Sequence, residues 1–134
     1  MNDFYQELAN GESEGIKFKR STSLLKEAIQ TLCAFANHKG GILYFGVADD
    51  GKIIGQTVTD DTLKNVANSI KLNTDPKLYP QVERIEFEGN FCVRVCVEQS
   101  RLKPHVAYGR PYIRVGSTTQ QLSQEQYHLL LQQR

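Results

Sequence analysis

The sequence predicts an α/β domain, in the α+β sense of a mixed, mostly antiparallel sheet covered by helices. Three observations carry this expectation. Runs with the two-residue period of strands are interspersed with stretches of helical period. Two pairs of strand-like runs are separated by short glycine turns, the mark of hairpins. The chain has 134 residues, 40% hydrophobic and 23% charged, which suits one core and is short for two. We therefore expect a single domain over residues 1–134, with its core at about 11–121 and a closing helix at about 123–132.

Taken in order, residues 4–9 suggest a short helix that Asn10-Gly11 breaks. In residues 15–21 Ile16 and Phe18 alternate with Lys17 and Lys19, so a half-buried strand would turn one face to the core and a basic face outward. Ser21-Thr22-Ser23 offers N-caps for a helix whose Leu24, Leu25, Ala28, Ile29, Leu32 and Phe35 form an apolar stripe. It ends near Asn37, before Gly40-Gly41, where glycine permits a positive φ. Residues 42–47 form a nearly continuous apolar run, as in a strand covered on both faces.

Asp49-Asp50-Gly51 reads as a tight turn into a returning strand over residues 52–55. A second helix begins at residues 59–61 and places Leu63, Val66, Ala67 and Ile70 on one side. Asp75-Pro76 and Tyr79-Pro80 punctuate the following loop. Residues 82–88 and 91–97 flank Gly89-Asn90 as a hairpin, with Phe91, Val93, Val95 and Val97 on one face. Residues 106–108 and 111–115 flank Gly109-Arg110 as another. Ser123 and Gln126 have capping-box spacing for the closing helix.

Several function classes are disfavoured. No segment approaches the roughly 20 apolar residues of a membrane-spanning helix, and the N-terminus lacks a basic-then-apolar signal pattern, so no membrane association and a cytoplasmic location are expected. Cys33, Cys92 and Cys96 contain no CxxC pair and lie near no histidine at ligand spacing, so no metal site is expected. They read as small buried hydrophobes or inert thiols. Gly46 to Lys52 matches GxxxxGK, but Ile53 follows where a phosphate loop needs a hydroxyl for magnesium, and a hairpin turn explains the pattern better.

The net charge of +1 conceals an uneven distribution. Residues 99–124 contain no acid, while Arg101, Lys103, Arg110 and Arg114 supply positive charge, with His105 able to add some. Cations interleaved with Tyr112 and followed by Gly116-Ser117-Thr118-Thr119 suit phosphate and unpaired bases: guanidinium and ammonium neutralise phosphate, hydroxyls donate, and a tyrosine face stacks. Lys17, Lys19 and Arg20 would extend this patch. A solvated hairpin with surface arginines is the plain alternative. Glu12, Glu14, Asp49 and Asp50 lie beside glycine turns, where acids usually form turns and caps but can also ligate a divalent cation. His38, His105 and His128 show no evident triad and read as surface residues.

Gly11-Glu12-Ser13-Glu14, Phe18-Lys19, Ala34-Phe35-Ala36-Asn37 with Gly40-Gly41, Phe45-Gly46-Val47, Asp49-Asp50-Gly51 and Gly55, then Tyr112-Ile113-Arg114-Val115-Gly116-Ser117, resemble in order and spacing the Schlafen AlbA-like (AlbA_2) family. The resemblance implies an α/β fold associated with binding DNA or RNA, and members are often described as transcriptional regulators. Some Schlafen proteins cleave structured RNA with three acids. The first corresponds to Glu12 and the third falls near Asp49, but the second position is Lys17, with Glu14 as the nearest substitute. That reversal of charge weakens the enzyme reading and suits phosphate binding.

The resulting expectation is a DNA- or RNA-binding domain whose phosphate contacts are Lys17, Lys19, Arg20, Arg101, Lys103, Arg110 and Arg114, with His105 and Tyr112 secondary. The question of an enzyme is left open and is weakened by Lys17. No cofactor is expected. The first alternative is a Schlafen-type endoribonuclease using Glu12, Glu14 and Asp49 with magnesium or manganese. The second is a nucleotide-binding or protein-interaction module. If the domain acts alone, a homodimer is expected, because one small basic patch gives weak, salt-sensitive affinity.

Overall fold

The computed structural model describes residues 4–133. Its elements are α1 (Phe4–Asn10), β1 (Ile16–Lys19), a 3-10 turn (Thr22–Leu24), α2 (Leu25–Ala36), β2 (Gly40–Phe45), α3 (Asp60–Leu72), β3 (Thr74–Asp75), β4 (Gln81–Phe87), β5 (Asn90–Glu98), β6 (Val106–Ala107), β7 (Arg110–Val115), β8 (Thr118–Gln121) and α4 (Gln124–Gln132). The strands form two four-stranded sheets, ordered β1-β2-β5-β4 and β3-β6-β7-β8. Among the described residues β1 and β2 pair in parallel and the other ladders are antiparallel. The mixed, mostly antiparallel character holds, with the strands divided between two sheets.

Helix α2 lies between those sheets, which explains why its burial exceeds a single stripe. Ala28, Ile29, Leu32 and Phe35 are buried as the apolar period predicts, and Thr31, Cys33 and Ala34 are buried as well. Its main core joins Leu43, Phe45, Val93, Val95 and Val97 from the first sheet to Ala107 and the partly buried Tyr112 from the second. Each fully buried large apolar side chain contributes about 1.5–3 kcal/mol. Strand β2 is covered on both faces, since Tyr44 belongs with Phe18, Phe87 and Cys92 to a second cluster beneath α1. Glu7 fastens α1 there: its carboxylate accepts the Tyr44 hydroxyl and two bonds from Arg94, Nε at 3.2 Å and Nη2 at 3.1 Å. Burial, then the Glu7 carboxylate, pushes the Tyr44 phenol above its ordinary range.

Gly40 and Gly41 serve packing as well as turning. Gly40 has φ of 82°, and a β-carbon there would stand 2.8 Å from the Val97 carbonyl oxygen. One on Gly41 would meet the Phe35 ring at 2.6 Å. Both hairpins are present, each one residue earlier than the glycine spacing suggested. Phe87 pairs with Asn90 and Ala107 with Arg110, so the turns are Glu88-Gly89 and Tyr108-Gly109. Glu88 (φ 51°) and Tyr108 (φ 52°) adopt positive φ together with their glycines (φ 86° and 77°), as in type I′ turns. The turn at Asp49-Asp50-Gly51 also forms, but its returning arm contributes only an isolated Val47-to-Ile53 bridge. Strand β8 pairs with β7 across Gly116-Ser117.

Candidate nucleic-acid interface

Lys17 and Lys19 stand opposite Leu43 and Phe45 in the β1-β2 register, so both face the α2 side of the sheet at its outer edge. There a groove of about 320 Å³ opens between β1, α2 and the β7-β8 hairpin. Lys17, Lys19, Tyr112 and Arg114 all line it, together with hydroxyls from Thr31 and residues 117–119. Four of the sequence-predicted contacts therefore converge, although Lys17 and Arg114 are nearly one hundred residues apart in the chain.

Lys19 is half-buried. Loss of hydration, and then repulsion from Lys17, hold its ammonium below the usual lysine range, while Glu27, Glu12 and Asp49 oppose that shift. A phosphate entering the groove would relieve the Lys17–Lys19 repulsion. Lys17 already has one partner: its Nζ lies 3.1 Å from Glu12 Oε2, which also accepts the Phe18 N–H at 2.9 Å.

Arg114 corrects the expectation of a solvated phosphate contact, being only 3% exposed. Alternation along β7 places Tyr112 and Arg114 on one face, and α2 covers that face. The guanidinium donates from Nη2 to the Ser13 carbonyl at 2.6 Å, from Nε to the Glu14 carbonyl at 3.2 Å, and from Nη1 to Thr119 Oγ1 at 3.0 Å. It also sits 5.0 Å from the Phe35 ring centroid. Burial holds its pKa below the ordinary arginine value, against the pull of Glu12 and Glu14. Arg114 thus braces the turn before β1 against the β7-β8 hairpin and shapes one wall of the groove. Thr119 continues the brace to α2 by bonding Thr31 Oγ1 at 2.9 Å.

His105 is a second correction: it is 2% exposed and not a surface contact. Its Nδ1 donates to the Pro76 carbonyl at 2.7 Å, which leaves Nε2 to accept the Ser100 hydroxyl at 2.6 Å. Asn37 anchors the same region. Its Nδ2 donates to the carbonyls of His105 (3.0 Å) and Tyr112 (2.9 Å), and its Oδ1 accepts the His105 N–H at 2.7 Å. This residue ties the end of α2 to β7 and to the loop before β6.

The remaining predicted contacts lie outside the groove lining. Arg20 is exposed directly after β1, and Arg110 is exposed at the opposite end of β7 from Arg114. Arg101 and Lys103 belong to the β5-β6 connection, on another part of the surface. The sequence reading missed Glu27, Gln30 and Thr31, which α2 contributes to the groove. Their spacing of three and four residues marks them as one polar face of an otherwise apolar helix.

The three acids do not come together as a metal-binding set. Glu12 is engaged by Lys17 and Phe18. Glu14 Oε1 lies 2.8 Å from His38 Nε2 and 3.9 Å from Lys39 Nζ. This neighbouring imidazole, then Lys39 and Arg114, hold the Glu14 carboxyl below its ordinary value. Asp49 is exposed in its turn. Among the described residues no three His, Cys, Asp or Glu side chains form a group able to hold a metal ion. With the Lys17 ammonium against Glu12, these residues do not fit the divalent cation of an RNA-cleaving Schlafen protein.

Residues 12–123 match the family described as Schlafen, AlbA_2, and the chain belongs to that family. Among solved structures, the chain is similar to the N-terminal domain of a protein from Nitrosomonas europaea titled a putative ATP-dependent DNA helicase RecG-related protein. The TM-score is 0.66 at 26% identity, covering 96% of this chain and 98% of that one. It also shares its fold with the DIP2311 protein of Corynebacterium diphtheriae, at TM-score 0.68 and 18% identity over 85% of this chain. This chain spans 23% of the length of that protein. No curated protein matches it. Among the described residues no helix is long and apolar enough to cross a membrane.

Proposed function

We propose that the chain binds DNA or RNA through the groove between β1, α2 and β7-β8, chiefly by phosphate contacts. The observation that carries this reading is the convergence of Lys17 and Lys19 with Tyr112 and the hydroxyls of residues 117–119 in one recess braced by Arg114. Two ammonium groups on one strand face supply charge, the exposed Ser117 hydroxyl supplies a donor, and the tyrosine offers a ring to an unpaired base, while the hydroxyls of Thr118 and Thr119 are spent on Val115 and Thr31 and shape the wall. Membership of the AlbA_2 family, and the likeness to a domain titled as DNA-helicase-related, point the same way. Arg20 extends the patch at its exposed rim. Arg114 acts as a positioning residue, because all three of its bonds go to the protein's own oxygens.

The deciding experiment is a fluorescence-anisotropy titration of labelled single- and double-stranded DNA and RNA at two salt concentrations. Manganese is added in parallel and product length is followed on a gel. Salt-dependent binding of intact oligonucleotide, weakened by Lys19→Glu, supports the reading. Binding indifferent to Lys19→Glu and to salt would remove it, and manganese-dependent shortening would replace it with cleavage. A role in transcriptional control requires a preferred DNA duplex in the same titration, and pairing of two copies would appear by light scattering as a doubled mass.

A further inference from the structure

A second recess, of about 770 Å³, lies at the far side of the first sheet from the basic groove. The groove borders β1, one outer strand of that sheet, while this recess borders the start of β4, the other outer strand, and the end of β5. The two linings share no residue. Its volume falls in the range of about 300–1,000 Å³ typical of small-ligand sites.

The chemistry of the lining is mixed in a particular way. Tyr79 is 74% exposed and Leu102 63% exposed, and both border the recess. Single apolar residues on a surface are ordinary. Here two border one recess that Lys77, Arg101, Gln81 and Gln99 also line. A tyrosine face suits a planar ring, and carboxamides can both donate to and accept from its edge. Lysine and arginine suit phosphate; Lys77 Nζ donates at 3.3 Å to the Lys71 carbonyl, outside the lining, and would have to share or leave that acceptor to reach one. Glu98 also borders the recess, which disfavours a run of phosphates laid across it and favours one phosphate beside a neutral ring.

The walls are preorganised. Ser100 donates to buried His105, accepts the Leu102 N–H at 2.9 Å, and His105 in turn donates to Pro76, so the loops that carry Tyr79 and Arg101 are fixed to each other. Although Ser100 and His105 have the spacing of a nucleophile and its base, His105 is only 2% exposed and both ring nitrogens are engaged. We read the pair as scaffold and derive no hydrolytic step from it.

We propose that this recess binds one nucleotide unit, its base against Tyr79 and its phosphate at Lys77 and Arg101. The unit could come from a free mononucleotide or from an unpaired strand. The site is separate from the groove of the proposed function, so either can fail alone.

The test is a 15N NMR titration of the full chain with adenosine monophosphate, ribose 5-phosphate and an unpaired RNA hexamer. The amides of Gln99, Ser100 and Leu102 should shift saturably with the mononucleotide, the hexamer or both; which of them does so identifies the source. Tyr79→Ala should weaken that binding at least about fivefold, as loss of one base-aromatic stack implies. Arg101→Glu should weaken it also, and Lys19→Glu should leave it unchanged. The proposal falls if neither nucleotide probe shifts these amides, if ribose 5-phosphate matches the mononucleotide, if Tyr79→Ala changes nothing, or if Lys19→Glu abolishes the mononucleotide response. Loss of the groove reading would instead appear as hexamer shifts absent from β1 and β7.

Discussion

Replacing Arg114 by alanine removes a buried cation together with three hydrogen bonds that join the turn before β1 to β7 and β8. A bond from a charged donor contributes about 1.5–3 kcal/mol net, so the bonds alone would suggest a large loss. The desolvation of the guanidinium, several kcal/mol by itself, offsets much of that. Ser13 and Glu14 are exposed, so water can reach their carbonyls once the guanidinium is gone. What remains is three neutral oxygens rather than an unpaired charge, so the expected loss is about 2 kcal/mol. Lysine keeps the charge without the planar fork and should recover only part of it. Thr119→Val, which removes the bond from Arg114 and the one to Thr31 Oγ1, should cost about 2 kcal/mol. Urea unfolding followed by circular dichroism measures each loss, provided the slope against denaturant is unchanged. A loss below about 1 kcal/mol for Arg114→Ala would refute the brace and return Arg114 to the role of an external contact.

Four further outcomes are expected. Lys19→Glu should weaken oligonucleotide binding across sequences and reduce the salt slope by about 1, read by anisotropy at several salt concentrations. Glu88→Asn should raise stability by about 0.5–1 kcal/mol in urea unfolding, because asparagine tolerates the positive φ that glutamate adopts at 51°. Glu14 has a lowered carboxyl pKa beside His38, so its contribution to stability is fully present above the ordinary value of 4.5 and is lost as pH falls through the lower folded value; Glu14→Gln should flatten the stability profile below pH 4.5. Burial raises the Cys33 thiol to about 12 and the Cys92 thiol to about 11, so iodoacetamide at pH 8 should leave both unmodified in the folded protein and label them in urea, as mass spectrometry of the peptides will show.

What the sequence discloses here is mostly local. The capping residues of α3 and α4, the apolar stripe of α2, and the alternation along β1 and β5 each follow from a few neighbouring residues, and the elements form where those patterns place them. The glycines that mark two hairpins are less exact, because either Gly89-Asn90 or Glu88-Gly89 satisfies the dipeptide pattern. Only the register of Phe87 with Asn90 decides between them. Nothing local marks β8, since Thr118-Thr119-Gln120-Gln121 has no apolar alternation; its strand form comes from pairing with β7.

The site was legible as residue types and not as surroundings. Alternation correctly puts Tyr112 and Arg114 on one face of β7, but nothing near them indicates that α2 closes over that face. Arg114 finds its acceptors in Ser13 and Glu14, one hundred residues away. His105 was similarly hidden, since its partners Pro76, Ser100 and Asn37 lie in three different segments. A basic residue in an acid-free stretch reads as a ligand contact until the fold supplies its partners.

Glu12 has a further consequence for the way this protein behaves in a crowded solution. β1 is an outer strand, and such strands present a row of backbone groups on which a foreign extended segment can add itself. Here the Ile16 N–H is taken by the Ser13 carbonyl and the Phe18 N–H by the Glu12 carboxylate. The chain's own preceding residues thus occupy the margin where another copy would dock, and a carboxylate cap accepts a bond without offering a new strand to extend. Glu12 and Ser13 thus leave two fewer backbone donors on this edge for a foreign strand to pair with.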